Sequence, residues 1–187
     1  MPKTAALLMD LQRDFLDCER GRLPVDRVGA EAVIRAANGI LAGRVLAGAV
    51  PVFVATEFPR QARLANFVRR GAAVAGSAGA MLDPRLEAVW TARCFVKATP
   101  SAFTNPELEK YLRAEGVTEL HVLGVFAEGC VRATVVHAIR LGFTVVVHAD
   151  AVASDRRWKK RLALWAMRRA GATMAALLAE PPPRAPG

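Results

Sequence analysis

The chain is short of residues that staple, ligate or span. Only three of its 187 residues are cysteines, Cys18, Cys94 and Cys130. They form no C-x-x-C unit and match no zinc module, so neither a disulfide scaffold nor a structural zinc is expected. A reducing cytoplasm is the expected compartment. Long apolar runs are also missing. None reaches the roughly 18 residues of a membrane span. The stretch Ala5 to Met9 is broken by Asp10 and is too short for a secretory signal core. Acidic residues are outnumbered, 17 against 26 basic ones, for a formal charge of +9.

Apolar residues, by contrast, are plentiful. At 53% hydrophobic, the chain is not intrinsically disordered. A domain of this length buries roughly 70% of its unfolded surface. The excess positive charge raises nucleic acid or an acidic membrane as partner classes. Much of that charge has one address, however. Arg156, Arg157, Lys159, Lys160, Arg161, Arg168 and Arg169 all fall between Asp155 and Ala170. Trp158, Leu162 and Trp165 recur there at helical spacing, which predicts a helix packed on the core by that stripe with a solvated basic face. No nucleic-acid module is recognisable. A small-molecule substrate is expected, with neither nucleic acid nor membrane as partner.

Short apolar runs alternate with helical periods. Strands are predicted at 5–9, 51–55, 94–97, 120–125, 143–147 and 173–178. Helices are predicted at 29–48, 106–114, 128–141 and from an Asp155 cap to Ala170. Segment 60–90 reads as a short helix and a long loop. Strands alternating with helices imply an α/β fold, a three-layer doubly wound sheet of about six mainly parallel strands with helices on both faces. Residues 1–180 read as one domain and the proline-rich 181–187 as an extended or disordered tail.

Ligands of such sheets bind at the carboxyl ends of the strands. Asp10, Lys97 and Cys130 stand at such ends, and together they supply a carboxylate, a cation and a nucleophile. The start of a helix and a nearby lysine both favour a thiolate. The segment Gly124-Val125-Phe126-Ala127-Glu128-Gly129-Cys130-Val131 ends a strand and restarts as a helix, with the thiol on the turn. Its backbone N–H groups are suited to an oxyanion hole.

Four blocks in this order resemble the isochorismatase-like cysteine hydrolases, over roughly residues 4–175. Leu7 to Leu16 resembles the D-x-Q-x-D-F block. Gly76-Ser77-Ala78-Gly79-Ala80 resembles the G-T-x-G-A turn. Val96 to Phe103 resembles the K-x-x-x-S-A-F block. Gly124 to Val131, with Thr134, Ala138, Gly142 and Asp150-Ala151, resembles the nucleophile block. The resemblance implies a catalytic triad of Asp10, Lys97 and Cys130. It implies a cis peptide between Val125 and Phe126 and oxyanion donors at the N–H groups of Phe126 and Cys130. It implies a metal-independent amide or C–N hydrolase working through a thioester on Cys130. It also implies a homo-oligomer, a dimer or higher.

Departures from the family pattern carry information too. Metal-binding members of the family use a D-x-H motif, and here Pro59 stands in place of its histidine. Ala72 or Ala73 stands where another ligand belongs. His121, His137 and His148 fall elsewhere and read as structural or solvated. No metal and no cofactor are expected, nor is nicotinamidase activity. Members that cleave a vinyl ether lack the cysteine, so that reaction is the alternative, alongside a non-catalytic binding protein on the same fold. Phe15, Phe103 and Phe126 are candidates for an apolar pocket wall, and Glu57 for a polar substrate contact. Gln12 is a candidate for orienting Asp10 or lining the pocket. Arg13 and Arg132 fall near the site in sequence, as substrate-carboxylate or surface residues. Cys94 reads as core and Cys18 as incidental.

Overall fold

The computed structural model describes residues 3–178; the expected tail, 181–187, lies outside the described residues. Six parallel strands form one sheet in the order β3-β2-β1-β4-β5-β6. They are β1 (Lys3–Met9), β2 (Val50–Thr56), β3 (Arg93–Lys97), β4 (Val117–Gly124), β5 (Thr144–Val152) and β6 (Thr173–Ala175). The helices are α1 (Arg13–Leu16), α2 (Arg27–Leu41), α3 (Arg63–Val68), α4 (Pro106–Ala114), α5 (Arg132–Arg140) and α6 (Arg157–Arg169). No helix is long and apolar enough to cross a membrane.

The alternation of side chains along β1 builds two cores. Ala5, Leu7 and Met9 join Leu108 and Leu112 of α4, Val135 and Ala138 of α5, and Ala163 and Met167 of α6 on one face. Ala6 and Leu8 meet α1 and α2 through Phe15, Leu16, Val33 and Ile40 on the other. Strands buried on both faces need no polar alternation, which is why they read as continuous apolar runs.

Local chemistry moves several boundaries. Asp26 caps α2 by accepting from Gly29 N, and Gly43, at φ +66°, ends the helix well before residue 48. Asp155 does not cap α6; Arg156 occupies that position, and both Asp155 oxygens accept from Lys159. β6 stops at Ala175, after which the N–H groups of Leu177 and Leu178 donate to the Asp150 carboxylate. Cys94 is exposed rather than core, because β3 is an edge strand. Trp158, Leu162 and Trp165 do not pack on the sheet: they are exposed, and Ala163 and Met167 are the buried residues of α6.

Candidate active site

The order of the strands decides where the site lies. The chain direction of the sheet reverses between β1 and β4, and the carboxyl ends flanking that point are where doubly wound sheets hold ligands. Four neighbouring strands each deliver one polar group there. Asp10 follows β1, Thr56 ends β2, Lys97 ends β3, and Cys130 lies in the turn after β4.

Asp10, Thr56 and Lys97 are almost wholly buried. Lys97 Nζ donates to Asp10 Oδ2 at 3.1 Å and to Cys130 Sγ at 3.2 Å, and its third contact is the Thr56 hydroxyl. That hydroxyl in turn donates to Asp10 Oδ1 at 2.8 Å. Each ammonium hydrogen thus has an acceptor, and each Asp10 oxygen has a donor, which is what a buried ion pair requires. Asp10 itself sits in the left-handed region at φ +56°, with its N–H tied to Val54 O.

The thiol is held protonated rather than as the thiolate that its neighbours suggest in sequence. Burial pushes the Cys130 pKa up to about 12; the Asp10 carboxylate adds to the rise and Lys97 opposes it. The helix-terminus and lysine effects are real but smaller than desolvation of a thiolate.

The turn that carries Cys130 is irregular. Val125–Phe126 is a cis peptide, Ala127–Val131 forms one π-type turn, and Gly129 departs from helical geometry at φ −102°, ψ −106°. Gly129 N and Val131 N both donate to Phe126 O. The Phe126 N–H has no acceptor among the described residues. Gly124, at φ +118°, is needed because a Cβ there would stand 2.1 Å from Met9 O.

Supporting residues fall into place around this cluster. Gln12 is fully buried and does not touch the Asp10 carboxylate. Its amide donates to Thr56 O and Ala80 O and accepts from Thr56 N, so it fastens the end of β2 to the 78–80 turn. The Asp14 carboxylate accepts from Ala73 N, and a Cβ on Gly79 would lie 2.0 Å from it. This explains why the D-x-Q-x-D-F block and the Gly-rich turn occur together. Thr56 and Asp14 carried no separate mark in the sequence. For Thr56 the signal was its place as the last residue of an apolar strand, beside two others ending in charge.

The three candidate wall phenylalanines divide. The rings of Phe15 and Phe126 meet edge to face at 5.6 Å. Phe103 stacks on Phe143 at 5.7 Å, in the core under α5, and is not part of that wall. Glu57 follows the end of β2, its N–H donating to Lys97 O. Arg132 turns away along its helix, its Nε donating to Glu128 O.

A resident metal does not fit the residues present. Pro59 offers only a carbonyl, which accepts from Asn66 Nδ2, and Ala72 and Ala73 are buried. His121 and His148 bond each other, and His137 pairs with Ser101. Among the described residues no group of three or more His, Cys, Asp or Glu is arranged to hold a metal ion.

Comparison with known proteins agrees with this geometry. Residues 4–177 match the Isochorismatase domain. A probable inactive nicotinamidase of Arabidopsis thaliana is 30% identical over 163 residues, covering 81% of this chain and 82% of that protein. The crystal structure of nicotinamidase PncA from Bacillus subtilis superposes with a TM-score of 0.82 at 26% identity, covering 93% of this chain and 99% of the other. The pyrazinamidase of Pyrococcus horikoshii, solved in complex with zinc, gives 0.81 at 28% identity over 94% and 100%.

Proposed function

The chain belongs to the isochorismatase family, and we propose that it is a metal-independent cysteine hydrolase of a small amide or related C–N bond. One observation carries the reading: a single buried ammonium, Lys97, bridges the Asp10 carboxylate and the Cys130 sulfur at 3.1 and 3.2 Å. The amidase activities named for similar solved structures support the choice of bond.

The chemistry follows from the protonated thiol. Asp10 takes the Cys130 proton as Sγ bonds to the substrate carbonyl carbon. Charge therefore moves only when the S–C bond forms. Lys97 stabilises the resulting anions, and the N–H groups of Phe126 and Cys130 receive the oxyanion. Asp10 then delivers its proton to the leaving nitrogen as the C–N bond breaks, which leaves a thioester on Cys130. A water molecule, deprotonated by Asp10, attacks the thioester and releases the acid, and the proton returns to the thiol. Phe15 and Phe126 form an apolar wall of the pocket, and Glu57 contacts a polar substrate group. Thr56 and Gln12 are positioning residues. A reducing cytoplasm, which keeps the thiols free, suits this chemistry.

The test is a hydrolysis screen over small amides, ureides, carbamoyl compounds and cyclic amides, with Cys130→Ala and Cys130→Ser as controls. Turnover by the wild type that both variants lose is the expected result. Full activity in Cys130→Ala overturns the mechanism, and vinyl-ether cleavage that survives it identifies the alternative reaction. A wild type that binds these compounds without turning any over is a binding protein on this fold.

A further inference from the structure

The outer stripe of α6 is apolar where a solvated helix face should be polar. Trp158, Leu162 and Trp165 are 65%, 57% and 59% exposed. Together they leave roughly 400 Å² of side chain uncovered, the size at which an apolar patch on a soluble protein signals a contact surface. A groove of about 290 Å³ runs along the same helix, walled by Trp158, Leu162, Ala163, Ala166 and, from the catalytic turn, Glu128.

We infer that α6 is the contact face of a homodimer, in which two copies of the helix pack antiparallel about a twofold axis passing between residues 161 and 162. The register is the argument. Across a twofold axis residue i meets j, and j meets i. About this axis Trp158 of one copy faces Trp165 of the other, and Leu162 lies beside the axis. The Trp165 indole of each copy enters the groove beside Trp158 of the other. Asp155 of one copy falls opposite Arg168 of the other. Two grooves and four indoles are thus satisfied by one self-complementary arrangement. The apolar stripe supplies about half of the ~800 Å² per partner of a standard interface, with the long stems of the flanking basic residues as the rim.

Charge gives the proposal a distinctive signature. Arg157, Arg161 and Arg168 line one flank of the stripe, and the twofold axis sets that flank against its own copy. Like charges facing across the rim are screened by salt, so the dimer tightens as ionic strength rises. A helix docked on an anionic surface does the opposite.

Light scattering on the full chain at micromolar concentration, at low and high salt, tests this. The expected mass is twice that of the chain, with a dimer fraction that rises with salt. Leu162→Asp gives a monomer with an unchanged circular dichroism spectrum, and Trp165→Ala weakens the dimer about tenfold or more. A monomeric wild type overturns the proposal, as does a dimer that both variants leave intact. Sedimentation of a monomeric wild type with phosphatidylcholine–phosphatidylglycerol vesicles, abolished by salt and by Leu162→Asp, also overturns it and assigns the face to a bilayer.

Discussion

Two groups of polar side chains share one sheet and solve burial in opposite ways. At the strand ends, Asp10, Thr56, Lys97 and Cys130 interlock around a buried ion pair. In mid-strand, His121 Nδ1 and His148 Nε2 meet at 2.9 Å with stacked rings, and His121 Nε2 reaches Glu119 Oε1 at 2.9 Å. The first group holds charge where the carbonyl ladder stops and a substrate can arrive. The second lies within the ladder of β4 and β5 and sheds charge: burial, and then His121, push the His148 pKa down to about 4. The comparison teaches that position along the strand, more than residue type, separates a reactive cluster from a packed one.

The largest expected break in this comparison is chemical. Cys130→Ala should remove about 10⁴-fold or more of turnover, the scale seen when a covalent nucleophile is lost, with little change in the urea midpoint. His148→Gln should leave turnover within a fewfold of wild type. Steady-state rates of the two variants on any substrate from the screen decide this; comparable losses would erase the distinction.

Next in size is stability. Lys97→Met strands the Asp10 carboxylate in a buried site, and removing one member of a buried pair costs about 3–5 kcal/mol. Denaturant titration should show that loss at neutral pH, with much of it recovered in Lys97→Met/Asp10→Asn. No recovery in the double variant would mean that Lys97 acts by packing alone.

A third test sharpens the electrostatic side. With its pKa at about 12, resting Cys130 should react with iodoacetamide at pH 8 roughly 10²–10³-fold more slowly than a free thiol. Peptide mapping by mass spectrometry reads this directly. The same shift sets an alkaline limit: the folded state holds the thiol proton more tightly than the unfolded chain, so stability is lost as pH rises from about 9 toward 12. Cys130→Ala should flatten that arm.

Much of the reactive cluster was legible in the chain because each member closes an apolar run. A parallel sheet gathers strand ends, so Asp10, Lys97 and Cys130 could be brought together before any coordinates. Other properties arise only on folding. Thr56 is an unremarkable residue type until β2 lies between β1 and β3. Cys94 resembled core because edge position depends on strand order, which local sequence does not encode. Periodicity located the stripe of α6 but not its covering; the sheet accepted Ala163 and Met167 and left the bulky indoles outside. The thiol pKa went the other way for a similar reason, since desolvation belongs to the fold and not to the motif.

The smallest effect expected is the acid counterpart of the thiol shift. His148 titrates near 6.5 when exposed and at about 4 in the folded protein. The unfolded chain therefore binds the extra proton first as pH falls. The stability that His148 contributes is complete above about 6.5 and drains away between there and 4. At pH 5 the loss is about 2 kcal/mol relative to pH 7. Urea midpoints at these two pH values, for the wild type and His148→Gln, measure it. The variant starts lower at pH 7, because His121 Nδ1 loses its partner in a half-buried site, but its pH 7 to pH 5 difference should shrink by about that 2 kcal/mol. If both proteins lose the same amount, the acid sensitivity lies elsewhere and the mid-strand pair is no sink for charge. If the variant alone is pH-independent, the sheet carries its acid limit in one cluster and its alkaline limit in the other.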